Sequence, residues 1–260
     1  MGSIFDSDAF NDTLFFPRRD VTPPPPGAVD AMVAVDGAMV HVRHHAAPVS
    51  LAADAISTGP CALLLFHGNG EVVADYDEAA GDFAQAGVSL AVADFRGYGA
   101  STGSPALRSV IHDARAVANW LHGSGVTRFV VMGRSLGGMA AHELYANPVD
   151  GMIGVVLESA LFDLRGLVRR RGLVPPDAFT ADELAAFDPA AKLARGELPL
   201  LVLHGARDTL IHPDEARAAY AAAGSADRQL VLVDERGHND VSRSARYWDA
   251  LAAFVTRVAS

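Results

Sequence analysis

Six apolar runs follow one another along the chain between residues 61 and 238. They are, in order, CALLLFHG, VSLAVADFRG, RFVVMGRS, MIGVVLES, PLLVLHGARD and QLVLVDERGH, and each passes from apolar residues into a polar cluster. Such uninterrupted runs are typical of strands that are covered on both faces of a parallel sheet. We expect the polar clusters to meet at one edge of that sheet, where ligands bind in folds of this kind.

Helical spacing of apolar residues recurs between most of these runs, over 72–87, 107–122, 136–146, 213–223 and 240–258. Strands that alternate with helices indicate an α/β fold. Upstream, AMVAVDGAMVHVRHH alternates around Asp36-Gly37, a dipeptide that favours a tight hairpin. The pattern predicts a mostly parallel, twisted sheet of about eight strands flanked by helices. We expect the hairpin strands at the sheet edge, with His41, His44 and His45 at the surface.

Two segments fall outside this alternation. Four consecutive prolines in VTPPPPGAVD fix an extended backbone, so residues 1–28 are predicted to be an N-terminal arm with a proline-rich part. Residues 161–197 contain short helical stretches broken by Pro175-Pro176, and they predict a small helical cap inserted after the sixth strand. The main domain is predicted to span residues 29–260, a length that a single hydrophobic core can serve.

The stretch Gly133-Arg134-Ser135-Leu136-Gly137 joins the strand-like RFVVM to the helix-like GMAAHELY. It matches G-x-S-x-G, in which the serine occupies a strained turn between a strand and a helix. A backbone in that conformation crowds the positions two before and two after the serine, where glycine leaves room. Ser135 is therefore the candidate nucleophile.

A serine hydroxyl needs a base within hydrogen-bond reach and a carboxylate that orients the base. His238 is the candidate base because it follows the last predicted strand in a loop that contains glycine. Asp208 follows the strand PLLVLHG and is the favoured acid. Glu158 follows the preceding strand and is the rival acid; if Asp208 is the acid, Glu158 anchors the cap or supports the site.

Acyl transfer also needs two donors for an oxyanion and a pocket for the substrate. The Leu136 backbone N–H is one predicted donor, and the HGNG loop supplies the other, with the N–H of Asn69 favoured over that of Gly70. Apolar cap residues either wall a substrate pocket or pack the cap against the body, and both alternatives fit the pattern. The candidate substrate-binding positions are Gly70, Phe162, Leu164, Leu167 and Phe179.

Together, the motifs FHGNG, DFRGYGASTG, GRSLGG, HGARDTLIHP and ERGHND resemble those of the α/β-hydrolase superfamily, in particular the small serine hydrolases grouped as Bem46-like and prolyl-oligopeptidase-like. The resemblance covers about residues 29–258 and implies an α/β-hydrolase fold with the chain order Ser, Asp, His. It implies that Ser135, Asp208 and His238 form a triad that cleaves carboxylic esters or thioesters without a cofactor. The alternatives are a peptidase, amidase or acyltransferase with the same triad, and a catalytically silent binding protein.

Composition narrows the expected partners. Thirty-one acidic against 21 basic residues give a formal net charge of −10, which disfavours binding to nucleic acid or to an anionic membrane. The ten histidines and one cysteine lack metal-ligand spacing, so no metal is expected. Residues 1–20 contain no signal sequence and no membrane span, so we expect a cytoplasmic protein. The expected partner is a small-molecule ester or thioester, and the oligomeric state stays open.

Overall fold

Eight strands form a single sheet in the computed structural model, which describes residues 5, 7–46, 61–170, 172 and 180–260. The strands are β1 (Ala28–Val35), β2 (Ala38–His45), β3 (Ala62–Phe66), β4 (Ser89–Ala93), β5 (Phe129–Arg134), β6 (Met152–Glu158), β7 (Leu200–Gly205) and β8 (Arg228–Val233). Their order across the sheet is β1-β2-β4-β3-β5-β6-β7-β8. β2 pairs antiparallel with both β1 and β4, whereas β3 to β8 run parallel. The predicted sheet and its hairpin are confirmed.

Helices cover both faces of the sheet. They are α1 (Asp8–Leu14), α2 (Ala80–Gln85), α3 (Leu107–Gly123), α4 (Gly138–Ala146), α5 (Leu164–Arg170), α6 (Ala181–Ala186), α7 (Pro189–Arg195), α8 (Pro213–Ala222) and α9 (Ala245–Ala259). Short 3-10 turns lie at Val73–Tyr76, Ser135–Gly137 and Val241–Arg243.

The helix predicted over 72–87 forms only in its second half. The Asp75 carboxylate accepts the Val72 N–H at 3.0 Å, and the Asp94 carboxylate accepts the Val73 N–H at 3.0 Å. The two carboxylates thus satisfy backbone N–H groups at the start of a 3-10 turn. Short polar side chains compete in this way with the backbone carbonyls that an α-helix would use. α2 is left with six residues.

The central strands separate two hydrophobic cores. Successive side chains of a strand point to opposite faces, so alternate residues of β3 and β5 belong to different cores: Leu64 and Val131 to one, Leu63 and Val130 to the other. The first core includes residues of α3 and α4, and the second includes residues of α2 and α9. Burial on both sides is the physical reason why these strands are continuously apolar in the sequence.

The hairpin differs from our expectation, because only one of its two strands, β1, lies at an edge of the sheet. β2 lies between β1 and β4, so His41 and His45 are buried and His44 is half-buried. The prediction that these histidines lie at the surface is wrong for His41 and His45. His41 Nδ1 lies 2.9 Å from an oxygen of buried Asp94, and its Nε2 lies 3.3 Å from Asp30.

The N-terminal segment is packed into the body of the protein. Phe10, Leu14 and Phe15 are almost fully buried in the same core as α3 and α4. The buried side chain of Asn11 accepts the Leu107 N–H at 3.1 Å, which joins α1 to the start of α3. The chain leaves α1 directly beside the loop that follows β3.

Three short helices, α5 to α7, lie between β6 and β7. α7 packs against α4 and α8, and Leu167 and Val168 of α5 are buried. The predicted helical insertion after the sixth strand is confirmed, although Pro175-Pro176 and Phe179 lie outside the described residues.

The parallel strands deliver the candidate site residues to one edge. The Asn69 loop follows β3, Ser135 follows β5, Asp208 follows β7 and His238 follows β8. Since β3, β5, β6, β7 and β8 are neighbours in that order, their carboxyl ends place these loops side by side.

Candidate active site

Ser135 sits in a strained turn at the end of β5. Its φ is 51°, in the left-handed region that side chains other than glycine rarely adopt. A 3-10 turn over Ser135–Gly137 then leads into α4, and the Leu161 N–H donates to the Ser135 carbonyl at 2.9 Å. The predicted passage from strand to helix through a serine is confirmed. Strain of this kind costs about 1–3 kcal/mol and persists only where the surroundings hold it.

The glycines flanking Ser135 allow this turn to pack against its neighbours. A Cβ on Gly133 would lie 2.5 Å from the Gly137 carbonyl oxygen, and a Cβ on Gly137 would overlap the Phe66 carbonyl at the end of β3. The serine turn is thus in backbone contact with β3. The distance between Ser135 and the loop after β3 is set by that contact.

A chain of hydrogen bonds joins the three predicted triad residues. Ser135 Oγ lies 2.9 Å from His238 Nε2, and His238 Nδ1 lies 2.7 Å from Asp208 Oδ2. The three residues are separated by 30 to 103 positions in the sequence and come together only through the fold. Ser135 is 9% exposed and Asp208 is 2% exposed.

Asp208 is held as a carboxylate. Its Oδ1 accepts the N–H groups of Leu210 and Ile211, each at 2.9 Å, and His204 Nε2 lies 3.3 Å from its Oδ2. Burial alone would raise the pKa of Asp208, but hydrogen bonds from two histidines and a backbone N–H outweigh it and hold the pKa well below its usual range. An ionised Asp208 accepts the proton on His238 Nδ1, which leaves Nε2 free to accept from Ser135.

The rival acid, Glu158, has other partners. Glu158 on β6 is the register partner of Arg134 on β5. One of its carboxylate oxygens lies 3.2 Å from Arg134 Nε. The Tyr247 hydroxyl donates to the other oxygen at 2.6 Å. Burial raises the pKa of Glu158 in spite of both partners. Glu158 therefore lies beneath the site, bonded to Arg134 and not to His238.

The Asn69 side chain is bonded to the N-terminal segment. Its Oδ1 accepts the Phe16 N–H at 2.9 Å and the Tyr98 hydroxyl at 2.6 Å, and its Nδ2 donates to the Leu14 carbonyl at 2.7 Å. The next residue, Gly70, has a φ of 85°. The side chain is thus engaged within the protein, and the backbone N–H of Asn69 stays the predicted oxyanion donor.

Ser135 opens onto a cavity of about 170 Å³. Its lining residues are Leu14, Phe16, Asn69, Glu71, Arg134, Ser135, Leu136, Leu161, Leu167, Leu210, Ile211, His238 and Asn239. Of the candidate pocket residues, Leu167 lies in this lining. Phe162 and Leu164 line a second cavity of about 580 Å³ that also contacts α6 and α7. Gly70 does not line either cavity. Phe179 lies outside the described residues.

Arg134 was not among the candidate site residues predicted from the sequence, yet it connects three parts of the site. It pairs with Glu71 after β3 and with Glu158 on β6, and its Nη2 donates to Asn239 Oδ1 at 3.0 Å. Burial alone would lower the pKa of Arg134, but the surrounding hydroxyl and carboxyl groups raise it above its ordinary value. The sequence did contain one sign of this role, since Arg134 is a charged residue within a motif, GRSLG, whose other residues are small or apolar.

Glu71 completes this network on the β3 side. One of its oxygens accepts the Gly68 N–H at 2.8 Å and the Tyr76 hydroxyl at 2.7 Å, while the other pairs with Arg134. Both carboxylate oxygens of Glu71 are therefore engaged within the protein.

The family model described as serine aminopeptidase, S33, matches residues 60–178 and 183–241. The chain belongs to this S33 family of α/β-hydrolases. Ser135, Asp208 and His238 lie within the matched residues, whereas Leu14 and Phe16 precede them.

Curated relatives of this S33 family member are about a quarter identical to it over the aligned residues. An uncharacterized membrane protein of Saccharomyces cerevisiae is 27% identical over 66% of this chain and 62% of its own length. Protein bem46 of Schizosaccharomyces pombe is 26% identical over 74% of this chain and 66% of its own length. These matches span less than two thirds of either relative. Every helix in the described ranges is too short or too polar to cross a bilayer.

Solved structures confirm the α/β-hydrolase fold of the S33 family member. The esterase Pf2001 of Pyrococcus furiosus superposes with a TM-score of 0.70 at 17% identity, over 93% of this chain and 98% of the esterase. A bacterial membrane phospholipase A gives a TM-score of 0.65 at 19% identity, over 90% of this chain and 87% of its own.

Replacement of Gly137 by alanine tests the contact between the serine turn and β3. Gly137→Ala places a methyl group against the Phe66 carbonyl, so we expect the free energy of unfolding to fall by about 3 kcal/mol or more. Urea denaturation followed by circular dichroism measures the change. As a control, Gly123→Ala adds a methyl with nothing within 4 Å at the end of α3 and is expected to change stability by at most about 1 kcal/mol. Equal effects of the two would contradict the packing argument.

Removal of the Arg134 guanidinium tests the buried network. Arg134→Met leaves Glu71 and Glu158 without their cation, and we expect a loss of about 3–5 kcal/mol of unfolding free energy. Arg217→Met is the matched control, because Arg217 is exposed and lies 3.7 Å from Asp214, so a loss below about 1 kcal/mol is expected. The network would have no structural importance if both variants unfolded at the same urea concentration.

Proposed function

We propose that this chain is a serine hydrolase that cleaves carboxylic esters or thioesters through an acyl-enzyme intermediate. The observation that carries the proposal is the continuous hydrogen-bond chain from Ser135 through His238 to Asp208. A serine at a strand-to-helix turn, a base at 2.9 Å and an orienting carboxylate meet the geometric requirements of nucleophilic acyl transfer.

In the first half of the reaction, Ser135 Oγ attacks the substrate carbonyl carbon while His238 Nε2 takes the hydroxyl proton. The carbonyl oxygen becomes an oxyanion that accepts hydrogen bonds from the backbone N–H groups of Leu136 and Asn69. The tetrahedral intermediate then collapses, and His238 gives its proton to the departing alkoxide or thiolate. The products of this half are a free alcohol or thiol and an acyl ester on Ser135.

In the second half, His238 takes a proton from water as the water oxygen attacks the acyl carbon. The tetrahedral intermediate expels Ser135 Oγ, which regains a proton from His238, and the carboxylic acid leaves. Asp208 stabilises the imidazolium that forms in both halves, because its low pKa keeps it anionic beside the protonated ring.

The lining of the cavity favours esters over peptides with a free amino terminus. An aminopeptidase must hold a substrate ammonium, which requires an acidic group with free acceptor capacity. Glu71 is the one acidic residue among the described residues that line the cavity. Its oxygens already accept hydrogen bonds from Gly68, Tyr76 and Arg134. An amino group entering the cavity would compete with the guanidinium of Arg134 for the same carboxylate.

The solved structures with this fold support the same proposal, since several are named as esterases, among them an acetyl xylan esterase of Thermoanaerobacterium with a TM-score of 0.67 at 19% identity. A catalytically silent binding protein would have no need for a strained serine within 2.9 Å of a histidine.

Labelling with a fluorophosphonate probe tests the nucleophile without assuming a substrate. We expect an adduct on Ser135, located by peptide mass mapping, that is lost in Ser135→Ala and His238→Ala. Hydrolysis of p-nitrophenyl butyrate should fall by about three orders of magnitude or more in both variants. The absence of an adduct on folded wild-type protein would contradict the proposed hydrolase, and an adduct elsewhere would contradict the assignment of Ser135.

A pair of carboxylate variants separates the two candidate acids. Asp208→Asn keeps the side-chain shape but favours the wrong histidine tautomer, so we expect kcat to fall by about 10³–10⁴. Glu158→Gln should stay within about tenfold of the wild type, because Glu158 contacts Arg134 and Tyr247 instead of His238. Both are measured by steady-state ester hydrolysis on protein checked by circular dichroism. The reverse order of effects would assign Glu158 as the acid.

A further inference from the structure

The N-terminal segment supplies part of the cavity beside Ser135. Leu14 is the last residue of α1 and is fully buried, and Phe16 lies two residues later with 54% of its surface exposed. Both line the cavity, although they precede Ser135 by more than a hundred positions. They also precede the residues that match the S33 family model.

Asn69 clamps this segment in place. Its carboxamide bonds both to the Leu14 carbonyl and to the Phe16 N–H, so it grips the backbone on either side of Phe15. The buried Tyr98 hydroxyl adds a second acceptor for the Phe16 N–H at 2.9 Å. Asn69 itself is the candidate oxyanion residue, so one residue fixes the position of the N-terminal segment relative to the reacting carbonyl.

One side of the cavity is apolar. Its members come from three separate parts of the chain: Leu14 and Phe16 from the N-terminal segment, Leu161 and Leu167 from the insertion after β6, and Leu210 and Ile211 from the loop after β7. Phe16 and Leu210 are also two of the large apolar residues that the described part of the chain exposes, at 54% and 44%. Both side chains are thus accessible to solvent and line the cavity, where a ligand can contact them.

The opposite side of the cavity has polar groups that are already engaged. Arg134 bonds to Glu71, Glu158 and Asn239, and these contacts occupy its Nε and both of its Nη atoms. An anionic substrate group would compete with Glu71 and Glu158 for the guanidinium. Contact with the apolar lining residues requires no such exchange.

The volume sets the size of the group that binds there. At about 170 Å³, the cavity is smaller than the roughly 300–1,000 Å³ of pockets for drug-sized ligands. A cavity below that range favours a short acyl chain over a long fatty acyl group.

We propose that the apolar side is an acyl-binding subsite for short chains, with Phe16 as a specificity-determining residue and Asn69 as its positioning residue. The proposal rests on the proposed esterase function. It assigns to the N-terminal segment a role in substrate selection, whereas the triad carries out the chemistry.

A series of p-nitrophenyl esters from acetyl to dodecanoyl tests the subsite. For the wild type, we expect kcat/KM to rise with chain length up to about six carbons and to gain nothing further beyond, because additional methylenes extend past the rim. A maximum at acetyl, or a continued rise to dodecanoyl, would overturn the proposal.

The decisive quantity is the ratio of kcat/KM for the hexanoyl ester to that for the acetyl ester. Phe16→Ala removes a contact that only the longer chain makes, so we expect this ratio to fall about five- to tenfold. Val21→Ala is the matched control, because Val21 is a 77% exposed apolar residue of the same segment outside the cavity lining, and its ratio should be unchanged. An unchanged ratio in Phe16→Ala, or an equal change in Val21→Ala, overturns the assignment of Phe16.

Asn69→Ala keeps the backbone N–H but releases the clamp. We expect it to lower the same ratio, and the double variant with Phe16→Ala to show no further fall, because residues that act through one contact are not additive. Independent, additive effects on the ratio would overturn the positioning role.

Failure of this inference is distinguishable from failure of the proposed function. Wild-type protein that neither hydrolyses any of the esters nor labels at Ser135 would overturn both. Hydrolysis with Ser135 labelled, but with a ratio that does not respond to Phe16→Ala, would overturn the subsite alone.

Discussion

The backbone contact between the serine turn and the end of β3 is the constraint on which the site depends. Gly137 packs directly against the Phe66 carbonyl and Gly133 against the Gly137 carbonyl, at points where no Cβ fits, so the turn that carries the left-handed Ser135 lies against β3. Since β3 and β5 are also hydrogen-bonded neighbours, Ser135 and the Asn69 loop are held at one separation by sheet and turn together. Strain at Ser135 is thus maintained by contacts that also fix its distance from the proposed oxyanion donor at Asn69.

Arg134 extends this constraint to the loops farther along the sheet edge. Burying a guanidinium is costly unless its donors are satisfied, and here the partners come from the β3 loop, from β6 and from the loop that carries His238. One side chain therefore couples the position of the base to that of the nucleophile. The same network engages both carboxylate oxygens of Glu71 within the protein.

The strands and the turn from strand to helix at Ser135 were predictable from the sequence because their signals are local. Burial on both faces produces continuous apolar runs, and the space required around Ser135 produces its glycines. The position of β2 was predicted wrongly, since an antiparallel pair does not reveal which strand is the edge, and His41 and His45 are buried in consequence. The Asn69 clamp was also missed, because a side chain that bonds to the backbone more than fifty residues away produces no periodic pattern in the sequence.

Two of the apolar lining residues, Leu14 and Phe16, come from a part of the chain that precedes all the other lining residues, and this difference argues for separate control of the proposed chemistry and of selectivity. The triad and Glu71 lie on loops whose positions follow from the parallel sheet, within the residues that match the family. Leu14 and Phe16 come from a segment that is hydrogen-bonded to Asn69 and Tyr98 beside the cavity. The hydrogen bonds that join Ser135, His238 and Asp208 do not involve the Phe16 side chain. Under the proposed function, a substitution at Phe16 can therefore change selectivity for the acyl group while the geometry of acyl transfer stays constant.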